Sequence, residues 1–103
     1  MMKLTYKLFF EALANEARLR ILLSLRGGPK CVKELCEDTG LEQSRISHNL
    51  RCLSNCGFVN NKRQGKTRVY SLNETTIVPL LKLIDRHIAK YRDHLIKCGV
   101  LKK

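Results

Sequence analysis

A chain of 103 residues, 44% hydrophobic, has the length of one small domain with a modest core, for which pairing with a second copy is a natural aid to stability. Twenty Lys and Arg against nine Asp and Glu leave a formal net charge of +11, which favours a polyanionic partner. No apolar run approaches the roughly 18 residues that cross a bilayer, Met1 to Leu13 is interrupted by Lys3, Lys7 and Glu11 without a cleavage site, and five cysteines without Cys-x-x-Cys argue for reduced thiols in the cytoplasm.

Leu4, Leu8, Phe9, Ala12 and Leu13 share one helical face and predict a first helix over 4–13. Asn15 is the expected N-cap of a second, Glu16 to about Arg26, apolar nearly all round as a central core helix is. Gly27-Gly28-Pro29 stops it. A short third helix is expected over Cys31 to Thr39, with Val32, Leu35 and Cys36 inward, Gly40 ending it and Leu41 plugging the turn. The fourth runs from Gln43 to Asn55 with Ile46, Leu50 and Leu53 inward, and Gly57 terminates it. Two strands, about Phe58–Lys62 and Thr67–Leu72, form a hairpin around Arg63-Gln64-Gly65-Lys66.

A last helix is expected over 76–98, with Pro79 in its first turn. Ile77, Leu80, Leu81, Ile84, Ile88, Tyr91 and Leu95 recur at coiled-coil-like spacing. A stripe of that length exceeds what a small core covers, so this helix and the first are read as the interface of a homodimer, the alternative being that the last helix folds back on its own core. The fold class is mainly α with a small β-hairpin, in the order of a winged helix-turn-helix: four helices, a hairpin wing and a C-terminal dimerisation helix, all in one domain over 1–103.

That order turns the charge into a specific expectation. At about 100° per residue, Ser44, Ser47, His48 and Arg51 fall opposite the apolar face of the fourth helix, and Gln43 and Arg45 stand at its N-terminal end, which enters the major groove in this motif. Arg pairs bidentately with guanine, Gln with adenine, and Ser reaches bases or phosphates. Lys62, Arg63, Lys66 and Arg68 on the hairpin suit phosphates or the minor groove. A solvated polar face beside a charged sheet edge would show the same charges, but helix, turn and basic wing in this order point to double-stranded DNA. A membrane surface would be met by one amphipathic helix face, which these cations do not form. No Ser-His-Asp arrangement, phosphate loop or paired acids suggest an enzyme. A winged helix that binds only other proteins is the remaining rival.

At this point the chain resembles the ArsR/SmtB family of metal-responsive repressors. "LANEARLRILLSL" is similar to the family's second helix, and "GLEQSRISHNLRCLSNCGFVNNKRQGKTRVYSLN" to its recognition helix and wing. The family often places His where Asn49 stands. The resemblance implies a homodimer on a palindromic operator, a repressor when free of effector and released when an ion binds.

Thiolates select soft or borderline ions, and Cys52 and Cys56, one helical turn apart, are neighbours able to grip one together. "LRCLSNCG" is similar to the recognition helix of the cadmium/lead-sensing CmtR-like branch of the family, which implies both cysteines as ligands and a third from the C-terminal tail, here Cys98, from the same or the other subunit. "CVKELC" resembles the arsenic-binding segment "CVCDLC", with Cys31 and Cys36 matching its outer cysteines and Lys33 replacing the middle one. Asp85, His87 and His94 are similar to a zinc set of the SmtB branch, but His94 comes a turn early and Lys97 stands near the position of an acid, so solvent-facing histidines are the reading kept. The expected inducer is therefore cadmium, lead, zinc or arsenite at Cys52, Cys56 and Cys98, with Cys31 and Cys36 the alternative. A thiol-based redox switch through disulfide or persulfide and an effector-independent DNA-binding protein with purely structural cysteines are the other readings.

Overall fold

The computed structural model describes residues 2–99, and within them the side chains of Met2, Lys3 and Leu95 are not described. Leu95, the last residue of the expected stripe, therefore has its side chain outside the described residues. The elements are α1 (Met2–Ala14), α2 (Glu16–Leu25), β1 (Lys30–Cys31), α3 (Val32–Thr39), α4 (Gln43–Asn55), β2 (Val59–Gln64), β3 (Thr67–Leu72) and α5 (Ile77–Lys97). They fall into two units, one ending at Asn73 and the other starting at Glu74.

In the first unit the helices start and stop where local chemistry requires. Asn15 is extended and its side chain accepts the Arg18 backbone N–H at 3.1 Å, satisfying one orphan donor of α2. Gly40 caps α3 in the left-handed region (φ 75°), where side chains are strained, and its N–H reaches the Cys36 carbonyl at 2.9 Å. Leu41 then buries itself between α3 and α4. The core gathers Ile21, Leu22 and Leu25 of α2, Leu35 of α3, and Ile46, Leu50 and Leu53 of α4, closed by Phe58, Val59 and Leu72. Phe9 of α1 lies against Phe58, ring centroids 5.1 Å apart.

Three expectations are corrected. The wing is not a lone hairpin: β1 pairs with β3 (Lys30 with Tyr70, Cys31 with Val69), giving a three-stranded antiparallel sheet in the order β1-β3-β2. Cys31 thereby ends a strand and serves as N-cap, so α3 begins at Val32. Nor is α2 buried all round. Leu19 and Leu23, one turn apart, are exposed, whereas Ser24 is buried because its hydroxyl donates to the Asp38 carboxylate. Cys36 is half-buried, not a full core residue.

The second unit is the 21-residue helix α5, with Thr76 as N-cap and Pro79 in the first turn as expected. Leu83, Ile84, Ile88 and Tyr91 are exposed along it. The Tyr91 ring stands between the exposed His87 (4.7 Å) and His94 (6.3 Å), which occupies both histidines with aromatic contacts. No helix among the described residues is long and apolar enough to cross a membrane.

Candidate nucleic-acid interface

Packing of α4 fixes what it can present. Ile46, Leu50 and Leu53 are at most 1% exposed, which turns this face of the helix to the core, and Gln43, Ser44, Arg45, Ser47, His48 and Arg51 all remain exposed. The glycine turn ahead of it holds α3 and α4 as a helix-turn-helix pair. The N-cap of α4 is Glu42, whose side chain makes no capping hydrogen bond, and the first turn itself holds no acidic residue, so the backbone donors there have no side-chain cap.

The wing is built by register. β2 and β3 pair from Val59–Leu72 to Gln64–Thr67, leaving Gly65 and Lys66 as a two-residue turn with Gly65 in the left-handed region (φ 63°). Alternation then places Arg63 opposite Arg68 on one face and Lys62, opposite Val69, on the other, with Lys66 at the tip. All four cations are exposed. Arg68 donates to Asn61 Oδ1 at 2.6 Å and Arg63 to the Gly65 carbonyl at 3.2 Å, so both guanidinium groups are braced without a carboxylate partner in these contacts.

Sequence reasoning missed the polar contact between α2 and α4. Asn49 is 6% exposed: it faces the protein interior, not the groove, so the His-to-Asn difference at this position alters an internal contact. Its Oδ1 accepts from Arg18 Nε at 3.1 Å and its Nδ2 donates to the Arg45 carbonyl at 2.9 Å. The same guanidinium donates through Nη2 to Cys52 Sγ at 3.5 Å. A signal was present: Asn49 falls on the Ile46–Leu50–Leu53 face, and a buried amide requires partners.

Cys52 is half-buried beside Arg18, and Cys56, exposed, is the C-cap of α4 with its N–H on the Cys52 carbonyl at 3.0 Å. Cys98, exposed, is the C-cap of α5 in the second unit. Cys31 caps α3 at its N-terminus, where the Glu34 carboxylate accepts its backbone N–H at 3.0 Å. This bond, then the Cys31 thiol and Lys30, hold Glu34 below the usual carboxylate range. Asp38 is likewise held down, first by the Ser24 hydroxyl and then by Lys30, 3.4 Å away. Among the described residues, no three His, Cys, Asp or Glu side chains converge within the chain to hold a metal ion.

Residues 15–61, from the N-cap of α2 into β2, match the family described as "Bacterial regulatory protein, arsR family". The chain is 49% identical over 71 residues to the HTH-type transcriptional regulator NmtR of Mycobacterium tuberculosis, covering 69% of this chain and 59% of that protein. It is 37% identical over 75 residues to the probable mercury resistance operon repressor of Streptomyces lividans, covering 73% of this chain and 60% of the relative. The matches thus span less than two thirds of either relative's length. The crystal structure of Rv0081 from M. tuberculosis superposes with a TM-score of 0.81 at 34% identity, over 92% of this chain and 95% of that one. In sequence and in winged-helix architecture, the chain belongs to the ArsR family of bacterial regulatory proteins.

Proposed function

We propose that this protein is a homodimeric transcriptional repressor that binds a palindromic DNA operator through α4 and the β2–β3 wing. One observation carries the reading: the six polar residues of α4 and the four wing cations named from the sequence are all exposed, on a chain of net charge +11. Exposed Leu4, Tyr6, Leu8 and Phe10 on α1, and Leu83, Ile84, Ile88 and Tyr91 on α5, supply apolar surface for the partner copy. The protein acts in the cytoplasm and catalyses no reaction, in keeping with its regulatory relatives. Fluorescence anisotropy with the duplex upstream of its own gene tests this. Binding should weaken steeply with added salt, and no binding at low salt would end the proposal.

The inducer is a thiophilic ion (cadmium, lead, zinc or arsenite) held by Cys52, Cys56 and Cys98. The donor chemistry fits soft ions. Cys56 and Cys98 are the C-cap residues of α4 and α5, where backbone carbonyls favour a cation, and a relative is named for mercury resistance. The third ligand, Cys98 of the same or the partner copy, is the one that the resemblance to the cadmium/lead-sensing branch implies. Cadmium stoichiometry of the reduced dimer, repeated with Cys52→Ser and Cys56→Ser, is the test. Binding unchanged by either substitution would move the site elsewhere, Cys31 and Cys36 being next. Exposure of Cys56 and Cys98 favours a second reading, a redox switch, which would answer to oxidants and not to cadmium.

A further inference from the structure

We infer that Arg18, a half-buried residue of α2, is a positioning residue that sets the pose of α4 through Asn49 and Cys52. The inference rests on the proposed DNA binding and goes beyond it by naming a residue that controls selectivity without touching DNA.

Arg18 is anchored where α2 begins, because its own backbone N–H is the donor that Asn15 caps. Its guanidinium then spans two residues three apart on α4, with Nε on Asn49 Oδ1 (3.1 Å) and Nη2 on Cys52 Sγ (3.5 Å). Two anchors at this spacing lie on one face of the helix, so together they resist rotation about its axis, which apolar packing, being non-directional, restrains less. Asn49 passes the restraint on: its Nδ2 bonds the carbonyl of Arg45 (2.9 Å), one turn nearer the reading end and in the middle of the groove-facing set. With Asn49 buried, loss of Arg18 strands an amide oxygen away from water, and the helix must shift or admit solvent to satisfy it.

Cys52 is therefore the point where sulfur chemistry and DNA reading share one contact. Its sulfur accepts from a cationic group, and a cation bound at that sulfur would sit against the guanidinium. Either Arg18 holds the thiol or an ion does.

The test compares wild type, Arg18→Met and Arg18→Lys on two duplexes: one selected by the wild-type protein from a random library, and a shuffled sequence of the same composition. Arg18→Met should lose about tenfold or more on the selected duplex, with affinity for the shuffled duplex and the salt slope unchanged. Arg18→Lys should recover only part, because an ammonium cannot fork to both acceptors. Adding Asn49→Ala to Arg18→Met should cost little more, since the two act as one unit. Equal losses on both duplexes with a salt slope lower by about one would make Arg18 a phosphate contact and overturn the inference, as would an unchanged selectivity ratio. If Arg18→Met does not fold, Cys52→Ala decides: a few-fold loss of selectivity supports the inference and an unchanged ratio refutes it. A wild-type protein that enriches no duplex ends the DNA-binding reading and this inference together; a selective wild type with an equally selective Arg18→Met ends this inference alone.

Discussion

Arg63 and Arg68 stand directly opposite one another across the β2–β3 ladder. Like charges so placed destabilise a hairpin by roughly 0.2–1 kcal/mol, and neither has a carboxylate in the contacts that brace it. The arrangement costs the free protein and favours one bound to a polyanion. Replacing either Arg by Ala should leave the unfolding midpoint unchanged or slightly raised. Operator affinity should fall, and the slope of log affinity against log salt should drop by about one for each phosphate that is no longer neutralised. An Arg that proved essential for folding and irrelevant to the salt slope would contradict this account of the wing.

The α4 surface should behave differently. Gln43 and Arg45 are exposed at the end of α4 that we propose meets base edges. Alanine at either should cost about 1–3 kcal/mol of operator binding and relax preference at one base position. Thermal stability should be unaffected, since neither side chain packs in the core. Binding-site selection with each variant, read beside melting curves, separates the effects.

Asn15 supplies the side-chain cap of α2 and orders the turn from which Arg18 emerges. Asn15→Ala should destabilise the fold by about 1 kcal/mol, whereas Asn15→Asp or Asn15→Ser, which keep an acceptor, should cost much less. The urea midpoint is the measurement.

Acid should loosen the junction of α2, β1 and α3. Asp38 and Glu34 both titrate below their ordinary values of 3.8 and 4.5, through the Ser24 hydroxyl and Lys30 in one case and the Cys31 N–H in the other. A carboxyl that binds its proton more weakly when folded stabilises the fold fully above its unfolded value, and that contribution disappears as pH falls through the folded one. Stability should therefore decline as pH falls from about 5 through and below the ordinary carboxylate values, and the decline should be shallower in Asp38→Asn. A decline of equal steepness in the variant would remove Asp38 from the explanation.

What could be read from the sequence was what local rules govern. The apolar stripe Ile46–Leu50–Leu53, the Asn15 cap, the left-handed Gly40 and the turn glycine Gly65 each carry their structural reason within a few neighbouring residues, and with them came the winged-helix order and the exposure of the polar side chains of α4 and the wing. What escaped depends on partners far along the chain. Lys30 and Cys31 are too short a run for any periodicity, and become a strand only because β3 arrives beside them. Leu19 and Leu23 look like core residues in an apolar helix, but exposure depends on what packs against them. Arg18 and Asn49, 31 positions apart, meet only in three dimensions. The thiols show the same limit: spacing places Cys52 and Cys56 a turn apart, but the guanidinium that hydrogen-bonds Cys52 came from another helix.

The most direct test of the central claim is the stoichiometry and salt dependence of binding to a short palindromic duplex, by analytical ultracentrifugation of labelled DNA with the reduced protein. The account requires two protomers per duplex, from a protein already dimeric when free, with affinity falling steeply as salt rises. A monomer that leaves the duplex unbound at low ionic strength would contradict it.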